Sequence, residues 1–471
     1  MRNTRRWTLT TLLTVCAMVA LASPSSAVAA DDWPGYLFGP GHSSYNAAAT
    51  AITPANAGSL TSYWQWQAAA PTMTGQPSRA LYASPTVYQG RVYIGADTGV
   101  FYALDLATKK VVWSRFLGFV PKQTCGKRGL ISTATVAPDA SRGNQLTVYV
   151  GGADGYLYAL RADTGAIVWR AVVHLKSPTQ NDYYNWASPA VAGGHVYMGI
   201  SSQCDHPLVR GGIIGFSQAS GATLGTYYSM AAGHVGGGVW SSVAVSQEGD
   251  VFATTGTGRL DDAESIVRVN GTTMAREEGW QVPDSDLTIS DADFGASPTM
   301  FTATVNGTPT EMVGACNKNG IFYALKANDF SGGPVWKFQV ANGTPEGSSS
   351  CLSSAIWDGH HLFAPASPTT IGGTSFQGAV RELDPSTGAV IWARGLGGII
   401  LGSPTMDGAG VIAAATYDKD GTNSVYLINS VNGQVLKTID MAGAKMFAQP
   451  VFADGYLFIA SLSQGLRVFR P

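Results

Sequence analysis

The sequence predicts an all-β protein: an eight-bladed β-propeller of four-stranded antiparallel blades, closed by an N-terminal strand in the last blade. Three observations predict it. The composition is rich in glycine and aromatics and poor in charge. Tryptophans recur with a period of 56 residues. The final repeat is one strand short.

The chain has 471 residues, with 57 Gly, 12 Trp, 19 Tyr and 13% charged residues. Glycine spread through an aromatic-rich, charge-poor chain favours many short strands and tight turns over helices. Hydrophobic residues make up 45% of the chain, enough for a large core. Net charge is -2, from 29 basic and 31 acidic residues. That balance argues against nucleic acid or a charged membrane surface as a partner.

Internal repetition carries the argument for blades. Ala83-Ser84-Pro85-Thr86-Val87 is followed by Val92-Tyr93-Ile94-Gly95, Phe101-Tyr102-Ala103-Leu104-Asp105 and Val111-Val112-Trp113. The series restarts at Thr133, Ala187, Trp240, Ala296, Ser353, Gly402 and Ala448, which gives eight copies. Trp113, Trp169, Trp280, Trp336 and Trp392 lie 56 apart, or 111 across the third copy, where Gly225 stands in place of Trp. Each copy holds four short alternating runs separated by Gly, Asp or Asn turns. Such a unit reads as one propeller blade. The last copy ends at Phe469-Arg470-Pro471 after three strands. Leu60-Thr61-Ser62-Tyr63-Trp64-Gln65-Trp66 carries the missing strand, so residues 31–471 form one ring closed by their own segment 31–66.

Residues 1–30 read as an export signal, which predicts a secreted, extracytoplasmic protein. Arg2, Arg5 and Arg6 precede the apolar stretch Leu9 to Leu21, and Ala27-Val28-Ala29 is a small-x-small cleavage site. Thr4-Arg5-Arg6 followed by Leu9 faintly resembles a twin-arginine signal. After cleavage no membrane span is expected. Cys16 leaves with the signal; Cys125, Cys204, Cys316 and Cys351 remain and allow three connectivities. Their repeat positions share one axial face, and adjacent blades favour Cys125–Cys204 and Cys316–Cys351. No CxxC, HExxH, GxSxG, Walker or Rossmann motif stands in a suitable context.

The repeat, seen best in Leu383-Asp384-Pro385-Ser386-Thr387-Gly388-Ala389-Val390-Ile391-Trp392, resembles that of pyrroloquinoline quinone (PQQ) propellers. The opening Asp32-Trp33-Pro34 and Thr53-Pro54-Ala55-Asn56-Ala57-Gly58-Ser59-Leu60 resembles the start of quinoprotein alcohol dehydrogenases. Within that family the chain is most similar to the polyvinyl-alcohol-dehydrogenase type, without its haem domain. The resemblance implies PQQ as cofactor, a small-molecule or polymeric alcohol as substrate and an external electron acceptor. It also assigns roles. Asp293, in Ser290-Asp291-Ala292-Asp293-Phe294-Gly295, would be the base that takes the alcohol proton. Lys318, in Asn317-Lys318-Asn319-Gly320, would contact the quinone oxygens and stabilise charge there. Trp240, in Gly236-Gly237-Gly238-Val239-Trp240, would stack under the quinone ring; it sits off the recurrent Trp position, which weakens a packing role.

The sequence departs from the family at its Ca²⁺ site. The family's Asn follows Gly-Thr-Gly, but here Gly256-Thr257-Gly258 precedes Arg259, which cannot coordinate a cation. In the region of the family's Glu only Asp205 could stand in, so it is the one metal-ligand candidate. Asp261-Asp262-Ala263-Glu264 could supply replacement oxygens, although a solvated acidic loop fits it as well. Two placements of Arg259 remain open. It could occupy the former metal position against cofactor carboxylates, or pair with Asp261 or Glu264. The adjacent-cysteine disulfide of many family members is absent. His234, six residues before Trp240, either lines the central funnel or sits in a turn. The functional expectation is an exported PQQ-type oxidoreductase acting on a hydroxyl group, with a degenerate Ca²⁺ site. The alternative is a non-catalytic propeller serving as a ligand-binding or protein-interaction scaffold.

Overall fold

A computed structural model describes residues 1, 31–121, 125–174, 183–343, 350–418 and 423–471. The expected export signal lies, from residue 2 to residue 30, outside the described residues. The rest is an eight-bladed propeller of antiparallel blades, with three short 3-10 turns as its only helical elements among the described residues. Blade 1 comprises Thr86–Tyr88, Arg91–Gly95, Val100–Asp105 and Lys110–Phe116. Blades 2 to 7 repeat that order from Thr135, Ala190, Ala244, Thr299, Ile356 and Thr405. Blade 8 has three strands from the C-terminus, Val451–Ala453, Tyr456–Ser461 and Gly465–Arg470. Its fourth is Thr61–Trp66, which pairs antiparallel with the last strand, Thr61 opposite Arg470 and Trp66 opposite Leu466. Two additions go beyond the repeat. Tyr45–Asn46 adds a parallel fifth strand to blade 7, and blade 6 carries a small hairpin, Thr369–Ile371 with Thr374–Phe376.

The apolar alternation buries side chains between blades. Eight apolar clusters fill the eight blade interfaces, one each. The periodic tryptophans clamp these interfaces. The indole Nε1 of Trp113 donates to Ala162 O at 3.0 Å, and Trp169, Trp336 and Trp392 do the same to Gln218, Pro385 and Ser430 of the next blade. Each of these four rings lies on a turn glycine of the next blade, Gly165, Gly221, Gly388 or Gly433. A Cβ on Gly165, Gly388 or Gly433 would fall 2.5 Å from the Trp113, Trp336 or Trp392 ring. These glycines also adopt positive φ, so no other residue suits both demands.

A serine or threonine opens seven of the repeats. In five cases its side-chain oxygen accepts the amide of the equivalent residue in the preceding blade: Ser84 N to Thr133 (2.9 Å), Thr133 N to Ser188, Ser188 N to Ser242, Ser242 N to Ser297 and Ser354 N to Ser403. Gln449 N donates to Ser84 Oγ at 3.0 Å and joins blade 8 to blade 1.

The segment 33–46 crosses one end of the axis. It bonds to the free inner edges of the first strands, with Val87 N to Trp33 O at 3.0 Å and Val136 N to Pro34 O at 2.8 Å. Val245, Met300, Trp357 and Met406 donate in turn to Pro40, Gly41, Ser43 and Ser44. The Gln449 side chain holds this strap, accepting from Leu37 N at 3.1 Å and donating to Ser44 Oγ at 2.6 Å.

Candidate active site

A cavity of about 280 Å³ opens on the axis. Its base is shared with a narrower channel of about 70 Å³, lined on one side by Trp240 and on the other by Tyr36 of the strap. Trp240 precedes the first strand of blade 4. Its indole has room because two neighbours lack side chains: a Cβ on Gly295 would lie 2.5 Å from Trp240 Cη2, and one on Gly256 would lie 3.3 Å from Cδ1.

Asp293 lies on the run that leads into blade 5, and Lys318 on the turn between strands Thr308–Cys316 and Ile321–Lys326. The turn grips the run. Lys318 N donates to Asp293 O at 3.0 Å, and Asn317 Nδ2 donates to Ala292 O at 2.8 Å. The two side chains therefore meet. Lys318 Nζ lies 2.5 Å from Asp293 Oδ1, 2.7 Å from Asp291 Oδ2 and 5.4 Å from the Trp240 ring centroid. Trp240 Nε1 donates to Asp293 Oδ2 at 3.4 Å.

Asp293 is 2% exposed. Burial raises its pKa, the Lys318 ammonium opposes that, and Asp291 adds to it; the carboxyl ends above its ordinary range. Burial alone would lower Lys318, but Asp293 and Asp291 outweigh it and hold the ammonium charged.

The Thr257 hydroxyl lies 3.1 Å from Asp205 Oδ2 and 3.5 Å from Asp293 Oδ2. It has one proton, so it serves one carboxylate at a time. Asp205 also contacts the Ser202 hydroxyl and lines the cavity. Cys125–Cys204 forms one wall, with Cα atoms 5.8 Å apart; the second disulfide, Cys316–Cys351, joins blades 5 and 6.

Sequence reasoning thus placed Asp293, Lys318, Trp240 and Asp205 in one cavity, and the structure brings them together. Arg259 lies elsewhere. Its side chain is 52% exposed and pairs with Glu264 at 2.7 Å and with Asp284. Asp261 is taken by His234 at 2.8 Å, and both are partly exposed. Three contributors were missed. Asp291 was legible only as the first Asp of an Asp-x-Asp pair. Thr257 was legible only as part of Gly-Thr-Gly. Arg128, at the cavity wall and 5.1 Å over the Tyr82 ring, had no local signal.

The residues fit a flat anionic cofactor. The indole of Trp240 provides a platform with a glycine cradle, and Lys318 and Arg128 provide cations. They do not make a Ca²⁺ cage. One Asp293 oxygen is held by an ammonium. Among the described residues no three His, Cys, Asp or Glu side chains are grouped to ligate a metal ion.

A closed eight-bladed ring with an acid–ammonium pair beside an axial indole defines the class of site. The family model described as the β-propeller domain of PQQ glucose/ethanol/alcohol dehydrogenases matches residues 33–349, and the chain belongs to that family. A second model, described as outer membrane protein assembly factor BamB, matches residues 318–448. The chain is 26% identical over 292 residues to quinohemoprotein alcohol dehydrogenase ADH-IIG of Pseudomonas putida, covering 52% of this chain and 38% of that one. It is 28% identical over 177 residues to the 1-butanol dehydrogenase (cytochrome c) of Thauera butanivorans, covering 38% and 23%. The chain thus spans well under half the length of the curated relatives it matches. A europium-containing methanol dehydrogenase superposes with a TM-score of 0.73 over 93% of this chain and 98% of its own, at 14% identity, which speaks for the fold alone. No helix among the described residues is long and apolar enough to cross a membrane.

Proposed function

We infer that the protein is an exported PQQ-dependent oxidoreductase that oxidises an alcohol hydroxyl in the axial cavity. The observation that carries this reading is the convergence of Asp293, Lys318 and Trp240, drawn from two blades, around one cavity. Trp240, Lys318 and Arg128 would hold the cofactor. When bound, the quinone supplies a two-electron acceptor for the hydride of the alcohol carbon. Asp293 accepts the hydroxyl proton; its raised pKa matches it to a weakly acidic donor better than an ordinary carboxylate would. Lys318 stays protonated and keeps Asp293 oriented through the 2.5 Å contact. The positive charge near the reacting oxygens comes from this ammonium, and Ca²⁺ is not assigned a role. Export rests on the basic and apolar pattern of residues 1–30, and two disulfides accord with an oxidising compartment. The haem-free subtype and the electron acceptor belong to the same proposal.

The test is titration of the purified protein with PQQ, with and without Ca²⁺, followed by absorbance. Saturable binding in both is expected. Absence of binding in both removes the dehydrogenase reading and leaves the scaffold one.

A further inference from the structure

Trp186 holds the place in blade 3 that Trp240 holds in blade 4. Ser188 N donates to Ser242 Oγ at 2.9 Å, which makes these two opening residues equivalent. A tryptophan stands two positions before each. In all eight blades the residue two before the opening one lines the narrow axial channel. Together these residues form a collar around the axis. Four of them, Trp186, Trp240, Leu352 and Phe447, also line the wider cavity that holds Asp293 and Lys318. These four make the floor between cavity and channel. In blade 5 the collar position is Gly295. A Cβ there would run into Trp240 and Leu352, so this gap admits the Trp240 ring.

Trp186 is fixed by its edge. Its indole N–H is shared between Ser202 O at 3.2 Å and Gln203 O at 3.0 Å. The Tyr184 ring meets it at 72° with centroids 5.1 Å apart, and the Tyr184 hydroxyl donates to Gly129 O at 2.6 Å. Trp113, Trp169, Trp336 and Trp392 lie on turn glycines between blades. Trp186 instead is half-buried and lines both the cavity and the channel. An indole so held, with its one donor already satisfied, has apolar surface to offer a ligand.

We propose that Trp186 is a second cofactor-binding indole, which widens the Trp240 platform into a floor for a fused-ring ligand. The inference rests on the PQQ reading given above. PQQ is planar and tricyclic, whereas an indole is bicyclic, so Trp240 alone leaves part of the ligand without a partner beneath it. Trp186 supplies that part from the adjacent blade, and Leu352 and Phe447 complete the floor from blades 6 and 8. Stacking on both indoles displaces no polar contact. Trp240 Nε1 already donates to Asp293 Oδ2, and Trp186 Nε1 to its two carbonyls.

The experiment is absorbance titration with PQQ of the wild type, Trp186→Leu, Trp186→Phe and Leu401→Ala, with thermal melts of each cofactor-free protein. Trp186→Leu keeps an apolar side chain and removes the flat ring; it should weaken PQQ binding about 10–100-fold. Trp186→Phe restores a flat ring and should stay within about fivefold of the wild type. Leu401 is a collar residue on the channel side, so Leu401→Ala should bind as the wild type does. A wild type that binds no PQQ overturns the oxidoreductase reading and this inference with it. Wild-type binding matched by Trp186→Leu overturns this inference alone. So does an equal loss in Trp186→Leu and Leu401→Ala, which would make the effect one of collar packing. Normal PQQ affinity with a raised alcohol KM in Trp186→Leu would set Trp186 against the substrate and overturn it as well.

Discussion

Met274 packs against Gly225. A Cβ on Gly225 would lie 3.1 Å from Met274 Cβ, and Met274 takes positive φ at the place where blades 2, 3, 6 and 7 carry the turn glycine. Elsewhere a tryptophan lies on that glycine. At the interface of blades 3 and 4 the pair is exchanged: the large residue has become glycine and the glycine has become large. The missing tryptophan of the third repeat is therefore compensated across the interface.

This exchange predicts coupling. Met274→Gly alone empties the interface and should cost about 2–4 kcal/mol. Gly225→Trp alone drives an indole into Met274 and should cost about 1–3 kcal/mol. The double variant recreates the arrangement of Trp169 and Gly221, so its cost should fall below the sum of the singles by at least about 1 kcal/mol. Denaturant unfolding of the four proteins checks it, and strict additivity would contradict the exchange.

The ring was legible because its rules are local and repeated. Trp113, Gly165 and the opening serines recur at fixed spacing, and the short final repeat pointed to Thr61–Trp66. The swap at Gly225 was visible as a missing Trp, yet Met274 was silent, since its partner lies 49 residues away in the next blade. The strap was hidden for a different reason. Residues 33–46 bind through backbone groups, which leave no pattern in side-chain type. The candidate cavity was legible where a motif marks each group, as with Asp293 on the run into blade 5 and Lys318 on the turn that grips that run. Arg259 shows the limit. Position after Gly-Thr-Gly does not fix where a long side chain goes, and the nearby carboxylates Glu264 and Asp284 captured it.

Asp407 is fully buried on the strap side of blade 7. Burial pushes its carboxyl to about 7, against the amides of Val411, Ala409 and Gly410, and Asp31 adds to the rise; Asp32 nearby is raised to about 6. A carboxyl raised in the folded state binds its proton more tightly there than in the unfolded chain. Its contribution is fully present at acid pH and is lost as pH rises from about 4 to about 7, by up to about 4 kcal/mol. Thermal melts from pH 5 to 8 should show Tm falling, and Asp407→Asn should flatten that fall. An unchanged slope in the variant would show that Asp407 is not the group responsible.

Gln449 replaces the axial serine in blade 8 and spends its longer side chain on the strap, at Leu37 N and Ser44 Oγ. Gln449→Ser should keep the Gln449 N to Ser84 Oγ link that closes the ring, yet leave the buried Leu37 N without its partner and Ser44 Oγ with only its bond to Pro404 O. The expected loss is about 1–3 kcal/mol. Proteolysis should report it first as cleavage within 33–46 while the blades remain intact. Cleavage spread evenly through the chain would place the loss in ring closure instead.

The acid–ammonium pair at the cavity gives the most direct test of function. If Asp293 is the base, Asp293→Asn should lower kcat by about 10²–10⁴-fold while PQQ still binds, because the indole of Trp240 and the ammonium are untouched. The pH profile then separates the two charged neighbours. Asp293 must be ionised to act, so kcat/KM should rise with pH on a limb above the ordinary carboxylate range. Lys318 holds that limb down and Asp291 pushes it up. Lys318→Met should therefore move the limb to higher pH, and Asp291→Asn should move it to lower pH. A merely structural pair would lower activity at every pH and leave the limb where it was. Opposite shifts on removing the ammonium and on removing its second carboxylate partner would identify Asp293 as the titrating base.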